Sequence, residues 1–479
     1  MKTKWLIILV LVVSIASHFA FFGHPNETVF DEVHFGKFIS GYFTHEYFFD
    51  IHPPLGKLLI SGMGYIGGFK PGFSFGEIGQ KFPDNTYLWL RFLPMIAGML
   101  LPLVFYGLGK RLGFSILASA TLGILLVLEN AFIAQSRFIL LDSFLLLFGF
   151  LSLFFYIGYH NDERKRIENL ILTAIFVGLS ISVKWTGLSF LGIILFFQFI
   201  EIVKKFSWRI TLHSIIVFSV VPVVIYGSIF AIHLSLLNKS GPGDAFMTPE
   251  FRKTLIGSTD YQNTDIIPLN ITGKIVELNK QMYTSNTTLT ADHPYSSKWY
   301  TWPFMQRPIY YWYSSTNSTH STNAQGGEQS RTTGSEQTDS PQIDQEPKLE
   351  SRIYFIGNPI IWWLSTVAIA YLILDQIMLF ISKKKFKFVP ILIIFAYILN
   401  MLPFIGISRA MFLYHYMIGY GFAILALVYL LNNLKHKKTA AISLISTALV
   451  LFIFFAPLTY GLPLSIKGYD IRSWFQGWK

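Results

Sequence analysis

The chain has 479 residues, 52% of them hydrophobic and only 14% charged, with a mean hydropathy of +0.47; soluble domains carry about 25% charged residues, so the polar surface of a water-soluble fold is missing. The formal net charge of +11 would suggest nucleic acid in a soluble protein. Here it collects in short loops between apolar runs, so membrane topology accounts for it and no nucleic-acid partner is expected. There is no Cys, which excludes disulfides, thiolate nucleophiles and zinc-thiolate centres.

Apolar runs of about 17 to 25 residues are long enough to cross a bilayer as helices. They predict about eleven spans, at 5–22, 87–108, 112–128, 138–159, 170–183, 185–202, 210–237, 358–381, 388–404, 410–431 and 440–460. The first run is read as a span rather than a cleaved leader, because it is long and no clean A-x-A-like site follows it. Basic residues mark every second loop: Lys2/Lys4, Lys110/Arg111, Arg164 to Arg166, Lys204/Lys205/Arg209, Lys383 to Lys387 and Lys435 to Lys438. The positive-inside rule then puts the N-terminus in the cytosol and the C-terminus outside.

Two long segments fall on the other side, 23–86 and 238–357. The chain therefore divides into an N-terminal membrane module at 1–237, a second outer loop at 238–357 and a C-terminal four-helix membrane region at 358–479. Within the second loop, 293–313 is dense in aromatic residues, suiting either an interfacial belt or a lid over a site. The stretch 314–350 is nearly free of large apolar residues and reads as a flexible linker.

The first loop carries Phe30-Asp31-Glu32-Val33-His34-Phe35 and Tyr47-Phe48-Phe49-Asp50-Ile51-His52-Pro53-Pro54-Leu55-Gly56-Lys57. Side chains of adjacent residues diverge, so of Asp31 and Glu32 one can face a substrate while the scaffold holds the other. A carboxylate with a raised pKa near the bilayer can act as a general base; a solvated acidic pair is the plain alternative. Pro53-Pro54 suits a helix start, and Leu55, Leu58, Leu59 and Met63 follow at helical spacing. Short outer turns carry single cations, Arg137, Lys184 and Arg409. Such cations suit either a lipid-linked phosphate or lipid headgroups reached by snorkelling. Asp142, one turn into the fourth span, can orient or neutralise Arg137. His52, Asp142, His293 and Trp299 are candidates to line a site at this surface.

These motifs resemble the protein O-mannosyltransferases, membrane enzymes of the GT-C glycosyltransferase architecture. The resemblance continues through Ser136-Arg137-Phe138-Ile139-Leu140-Leu141-Asp142-Ser143, Ser182-Val183-Lys184-Trp185-Thr186-Gly187 and Ser297-Lys298-Trp299. It then takes in Arg409-Ala410-Met411-Phe412-Leu413-Tyr414-His415-Tyr416 and the closing Trp474 to Trp478.

The resemblance implies an all-α integral membrane fold with eleven spans and inverting transfer of mannose from polyprenyl or dolichyl phosphate mannose to Ser/Thr hydroxyls. It implies Asp31 as the base, Glu32 as its essential neighbour, and Arg137, with Lys184 and Arg409, as the donor-phosphate cations. Membrane lipids and a translocated protein acceptor are the implied partners, with the Sec translocon close by. The expected location is a cell membrane, or the endoplasmic reticulum membrane of a eukaryote. No metal cofactor is called for, and divalent-cation dependence stays open. Eukaryotic members carry a β-trefoil MIR domain in the second loop, which is too short here, so the resemblance is to the bacterial or archaeal branch. The alternatives are a related GT-C transferase with another sugar or acceptor, and a transporter, which would show repeats or broken helices at the midplane.

Overall fold

The computed structural model describes residues 2–204, 206–288, 293–315, 349–407 and 409–479. The chain runs α1 (Lys2–Phe19), α2 (Glu32–Thr44), α3 (Leu55–Ile66), α4 (Tyr87–Arg111), α5 (Ile116–Val127), α6 (Asn130–Ser136), α7 (Asp142–Asn161), α8 (Arg166–Val183), α9 (Leu188–Lys204) and α10 (Trp208–Leu236). Two helices of the second loop follow, the one-turn α11 (Pro249–Arg252) and α12 (Ile271–Thr288). Then come α13 (Pro359–Ile381), α14 (Phe388–Met401), α15 (Met417–Asn432), α16 (Lys437–Tyr460) and the short α17 (Ile466–Asp470).

Among the described residues nine helices are long and apolar enough to cross a membrane, and α5 with α6, bent by 57° at their junction, make a tenth. α1 is shorter but apolar, and it packs along α4 and α5. Each of the sequence-predicted spans thus corresponds to a helix. α4 is the hub, touching α1, α3, α5 and α7, while α13, α14 and α15 group at the other side of the bundle. Prolines lie inside α4, α10 and α16, as membrane-spanning helices tolerate.

The third span differs from its predicted bounds. It does not stop at residue 128 but turns at Glu129 and continues as α6. Glu129 is fully buried and caps α6 by accepting from the Ala131 amide at 3.2 Å. It also accepts from the Asn358 amide at 2.8 Å and the Tyr420 hydroxyl at 2.6 Å. One carboxylate therefore ties the bend to the starts of α13 and α15, a role that spacing in the sequence did not reveal.

Between the spans, one end of the bundle is built up by the two long loops. The helix predicted after Pro53-Pro54 is α3, starting at Leu55 with Pro54 as its N-cap. A small three-stranded sheet was not anticipated. Strand β1 (Ile309–Ser315) pairs antiparallel with β2 (Leu349–Phe355), and β2 pairs with β3 (Leu464–Ser465). The ends of the predicted linker 314–350 are thus strand residues, Ser315 opposite Glu350; the rest of that linker, 316–348, lies outside the described residues.

Candidate active site

Asp31 and Glu32, neighbours in sequence, end up in opposite environments. Glu32 is fully buried, and each of its oxygens takes two donors. Oε1 accepts from Arg91 Nε at 2.7 Å and from the Ile139 amide at 2.9 Å. Oε2 accepts from Arg91 at 2.6 Å and from the Val29 amide at 2.8 Å. Arg91, itself fully buried in α4, also holds the carbonyls of Gly23, Pro25 and Glu27. All four of these bonds go to groups of the chain itself, and Glu32 lines neither of the two cavities described below.

Asp31 is the N-cap of α2, yet its side chain makes no capping bond. Among the described residues its carboxylate accepts no hydrogen bond at all. It faces a cavity of about 1040 Å³, whose wall also includes His34, Asp50, His52, His293 and Arg409. Burial pushes the Asp31 pKa up to about 7; the nearby Lys184 pulls it down, while Asp142 and Asp50 push it further up. A carboxyl titrating there is poised to accept a proton near neutral pH.

Behind this cavity is a recess of about 80 Å³ that shares His52, Arg409, Tyr414 and His415 with it and adds Asp142, Lys184 and Asn286. Lys184, in the turn between α8 and α9, donates to Asp142 Oδ1 at 2.7 Å. Asp142 Oδ2 accepts from Gln135 at 2.7 Å. Among the described residues the Arg409 guanidinium has no hydrogen bond or ion pair, so its donors are available. Burial, with Lys184, Lys57 and Arg409 near, holds His52 well below the usual histidine pKa. His52 is therefore neutral and can only share hydrogen bonds there.

Four of the predicted site residues do gather around this space: Lys184, Arg409, His52 and Asp142. His293 joins them on the cavity rim, packed on Phe412 at 4.9 Å. Two others do not. Trp299 starts a 3-10 turn and packs beside Tyr300, away from both cavities. Arg137, predicted to hold the donor phosphate, is only 2% exposed and lies at the C-terminal end of α1. It donates to the carbonyls of His18 and Ala20, at 3.1 and 2.6 Å, and to that of Phe21. The last carbonyls of a helix lack intrahelical partners and carry negative dipole charge, so a guanidinium there is spent on the fold. That arrangement corrects the expectation that Arg137 faces the same space as Lys184. Asp142 accordingly orients Lys184 and not Arg137.

Other residues of the site were quoted in motifs without a role. Asp50 pairs with Lys57, which is 1% exposed and also donates to the carbonyls of His52 at 2.9 Å and Pro53 at 3.2 Å. That lysine gathers residues 50–53 into one rigid turn on the cavity wall. Arg91 was overlooked, although an arginine within an apolar span is itself a signal of a buried partner. Among the described residues no three His, Asp or Glu cluster as a metal site requires.

A family model described as dolichyl-phosphate-mannose-protein mannosyltransferase matches residues 8–238, and one described as the C-terminal four-span region of protein O-mannosyltransferase matches 271–478. The chain is 33% identical over 295 residues to dolichyl-phosphate-mannose–protein mannosyltransferase 1 of Candida albicans, covering 57% of this chain and 32% of that protein. It is 32% identical over 249 residues to protein O-mannosyltransferase 1 of Drosophila melanogaster, covering 49% of this chain and 28% of that one. These alignments span about a third of the length of the curated relatives.

In fold, the chain superposes on a protein O-mannosyltransferase of the donor-bound Saccharomyces cerevisiae complex with a TM-score of 0.86 and 19% identity, covering 100% of this chain and 92% of that one. An Archaeoglobus fulgidus oligosaccharyltransferase is more distant, at a TM-score of 0.52 and 13% identity, covering 98% of this chain and 55% of that one. The architecture is that of the GT-C membrane glycosyltransferases. With both halves of the family matched in order along nearly the whole chain, this protein belongs to the protein O-mannosyltransferase family.

Proposed function

We propose that this chain transfers mannose from polyprenyl or dolichyl phosphate mannose to Ser/Thr hydroxyls of proteins on the far side of a membrane. The observation that carries the reading is that Asp31, whose carboxylate accepts no hydrogen bond among the described residues, and the cations Lys184 and Arg409 line two cavities that share His52, Arg409, Tyr414 and His415. The acceptor hydroxyl oxygen attacks the anomeric carbon while the bond from that carbon to the phosphate oxygen breaks. Its electron pair leaves with the lipid phosphate, and the hydroxyl proton passes to Asp31. Lys184 and Arg409 offset the charge that grows on the phosphate, and the cavity holds the two reactants in line. A single displacement of this kind inverts the anomeric centre.

The 1–237 module supplies Asp31, His52, Asp142 and Lys184 to this reaction, and the C-terminal region supplies Arg409. The second loop is accounted for by α11, α12, β1 and β2 together with 316–348, which favours the bacterial or archaeal branch lacking the MIR domain. Translocated proteins, delivered near the Sec translocon, are the acceptors in this reading, and the basic loops face the cytosol. Mapping hexose on exported peptides by mass spectrometry, with and without the gene, tests the acceptor class. Hexose on Ser or Thr of exported proteins supports it; a modified lipid or glycan with unmodified proteins supports a related transferase with another acceptor.

The orientation is tested in the Cys-free chain. We predict that Lys479→Cys reacts with an impermeant thiol reagent in intact cells and Lys384→Cys does not; labelling at residue 384 contradicts the topology.

The two classes of arginine also separate. We predict that Arg409→Met raises the KM for the lipid donor about ten- to a hundredfold, the scale of one lost charge-assisted contact. Arg137→Lys loses the fork that binds three carbonyls, so it lowers stability by roughly 1–3 kcal/mol and leaves donor KM within about twofold. A raised donor KM in Arg137→Lys, with wild-type KM in Arg409→Met, reverses the assignment.

A further inference from the structure

The sheet touches both halves of the site through one residue. β1 and β2 lose register between Tyr310 and Trp312, which makes Tyr311 the extra residue of a bulge, turned out of the ladder. Tyr311 is fully buried and lines neither cavity. Its carbonyl accepts from the Phe30 amide at 3.1 Å, and its ring stacks on Phe30 at 4.3 Å and 10°. Phe30 has φ of 46°, a left-handed conformation that a bulky side chain avoids and that persists only when its surroundings impose it. Asp31 is the next residue.

At its other end the Tyr311 hydroxyl donates to Gln135 Oε1. Gln135 Nε2 donates to Asp142, and Asp142 accepts from Lys184, both at 2.7 Å. The direction of this chain is fixed by chemistry. An ionised Asp142 only accepts, so the amide NH2 of Gln135 faces it, leaving the amide oxygen for the phenol.

We propose that Tyr311 is a positioning residue for transfer, holding Asp31 in place through Phe30 and Lys184 in place through Gln135 and Asp142. This rests on the function proposed above. Tyr311→Phe keeps the stack and the backbone bond but strands the Gln135 amide oxygen. Gln135 then turns, Asp142 loses its fixed donor, and Lys184 is no longer aimed into the recess. Tyr311→Leu removes the stack as well and frees Phe30 to relax, moving Asp31.

Transfer from polyprenyl-phosphate mannose to a Ser/Thr peptide is measured with purified protein, alongside binding of polyprenyl phosphate alone. Tyr311→Phe is expected to raise donor KM and weaken polyprenyl phosphate binding about three- to tenfold, with kcat within about twofold. Tyr311→Leu is expected to lower kcat at least about tenfold, since small misplacements of a reacting group are costly. In a Gln135→Leu background, loss of the phenol is expected to add nothing, because it acts through that amide. Tyr310→Phe on the same strand serves as control and keeps wild-type kinetics. Wild-type donor KM and binding in Tyr311→Phe, or full additivity with Gln135→Leu, overturns the proposal, as does a lowered Tm with no change in either constant. A wild-type protein that transfers nothing defeats the functional reading instead, and polyprenyl phosphate binding then still decides whether Tyr311 sets the recess.

Discussion

Asp31→Asn is expected to lower the turnover of mannose transfer by about 100- to 10,000-fold, the range for loss of a general base. The isosteric amide keeps the shape of the cavity wall, and the carboxylate it replaces accepts no hydrogen bond among the described residues, so donor binding and stability should change little. The wild-type pH profile carries the same signature. Only ionised Asp31 can take the hydroxyl proton, and burial raises its pKa to about 7, so turnover rises as pH rises through about 7 and then levels. In Asp31→Asn that limb disappears along with the activity. Near-normal turnover in the variant, or a wild-type rate that is flat from pH 5 to 9, removes the base assignment.

The second large effect is structural. Arg91→Met leaves Glu32 buried in the bundle with only the Val29 and Ile139 amides as partners. Breaking a buried ion pair from one side typically costs about 3–5 kcal/mol, because the surviving charge is uncompensated. Carbonyls of Pro25 and Glu27 lose this donor at the same time, while that of Gly23 keeps the Tyr87 hydroxyl at 2.8 Å. We predict a large drop in Tm in detergent and poor membrane yield. Glu32→Gln should be milder, since the amide oxygen can still accept. Activity per folded molecule falls in both, as the start of α2 loosens. An Arg91→Met protein with wild-type Tm contradicts this account of the pair.

The helices were legible because span length and apolar composition are local properties of the sequence. Within the first loop, the Asp31-Glu32 pair could be singled out, but the division of labour between the two could not. That depends on Arg91, about sixty residues away, and on the Ile139 amide, more distant still. Arg137 shows the same limit from the other side. A lone cation in a turn is compatible with a phosphate, a headgroup or a helix end, and only the contacts of Arg137 with the carbonyls of His18, Ala20 and Phe21 select the helix end. The Glu129 bend was hidden because its carboxylate is satisfied by Asn358 and Tyr420, contacts that span hundreds of residues. β1 and β2 were hidden because each has only seven residues and they pair across a long polar insertion.

In the proposed reaction two cavities with a shared wall bring together a protein hydroxyl, a proton acceptor and a lipid phosphate. The most direct test of that reaction incubates the purified chain with radiolabelled polyprenyl-phosphate mannose and a Ser/Thr peptide, then determines the anomeric configuration of the labelled product. Label should enter the peptide through a Ser or Thr oxygen with configuration opposite to that of the donor, and neither Asp31→Asn nor a Ser/Thr-free peptide should support it. Labelled peptide with retained configuration, or transfer only to a lipid acceptor, would contradict the account.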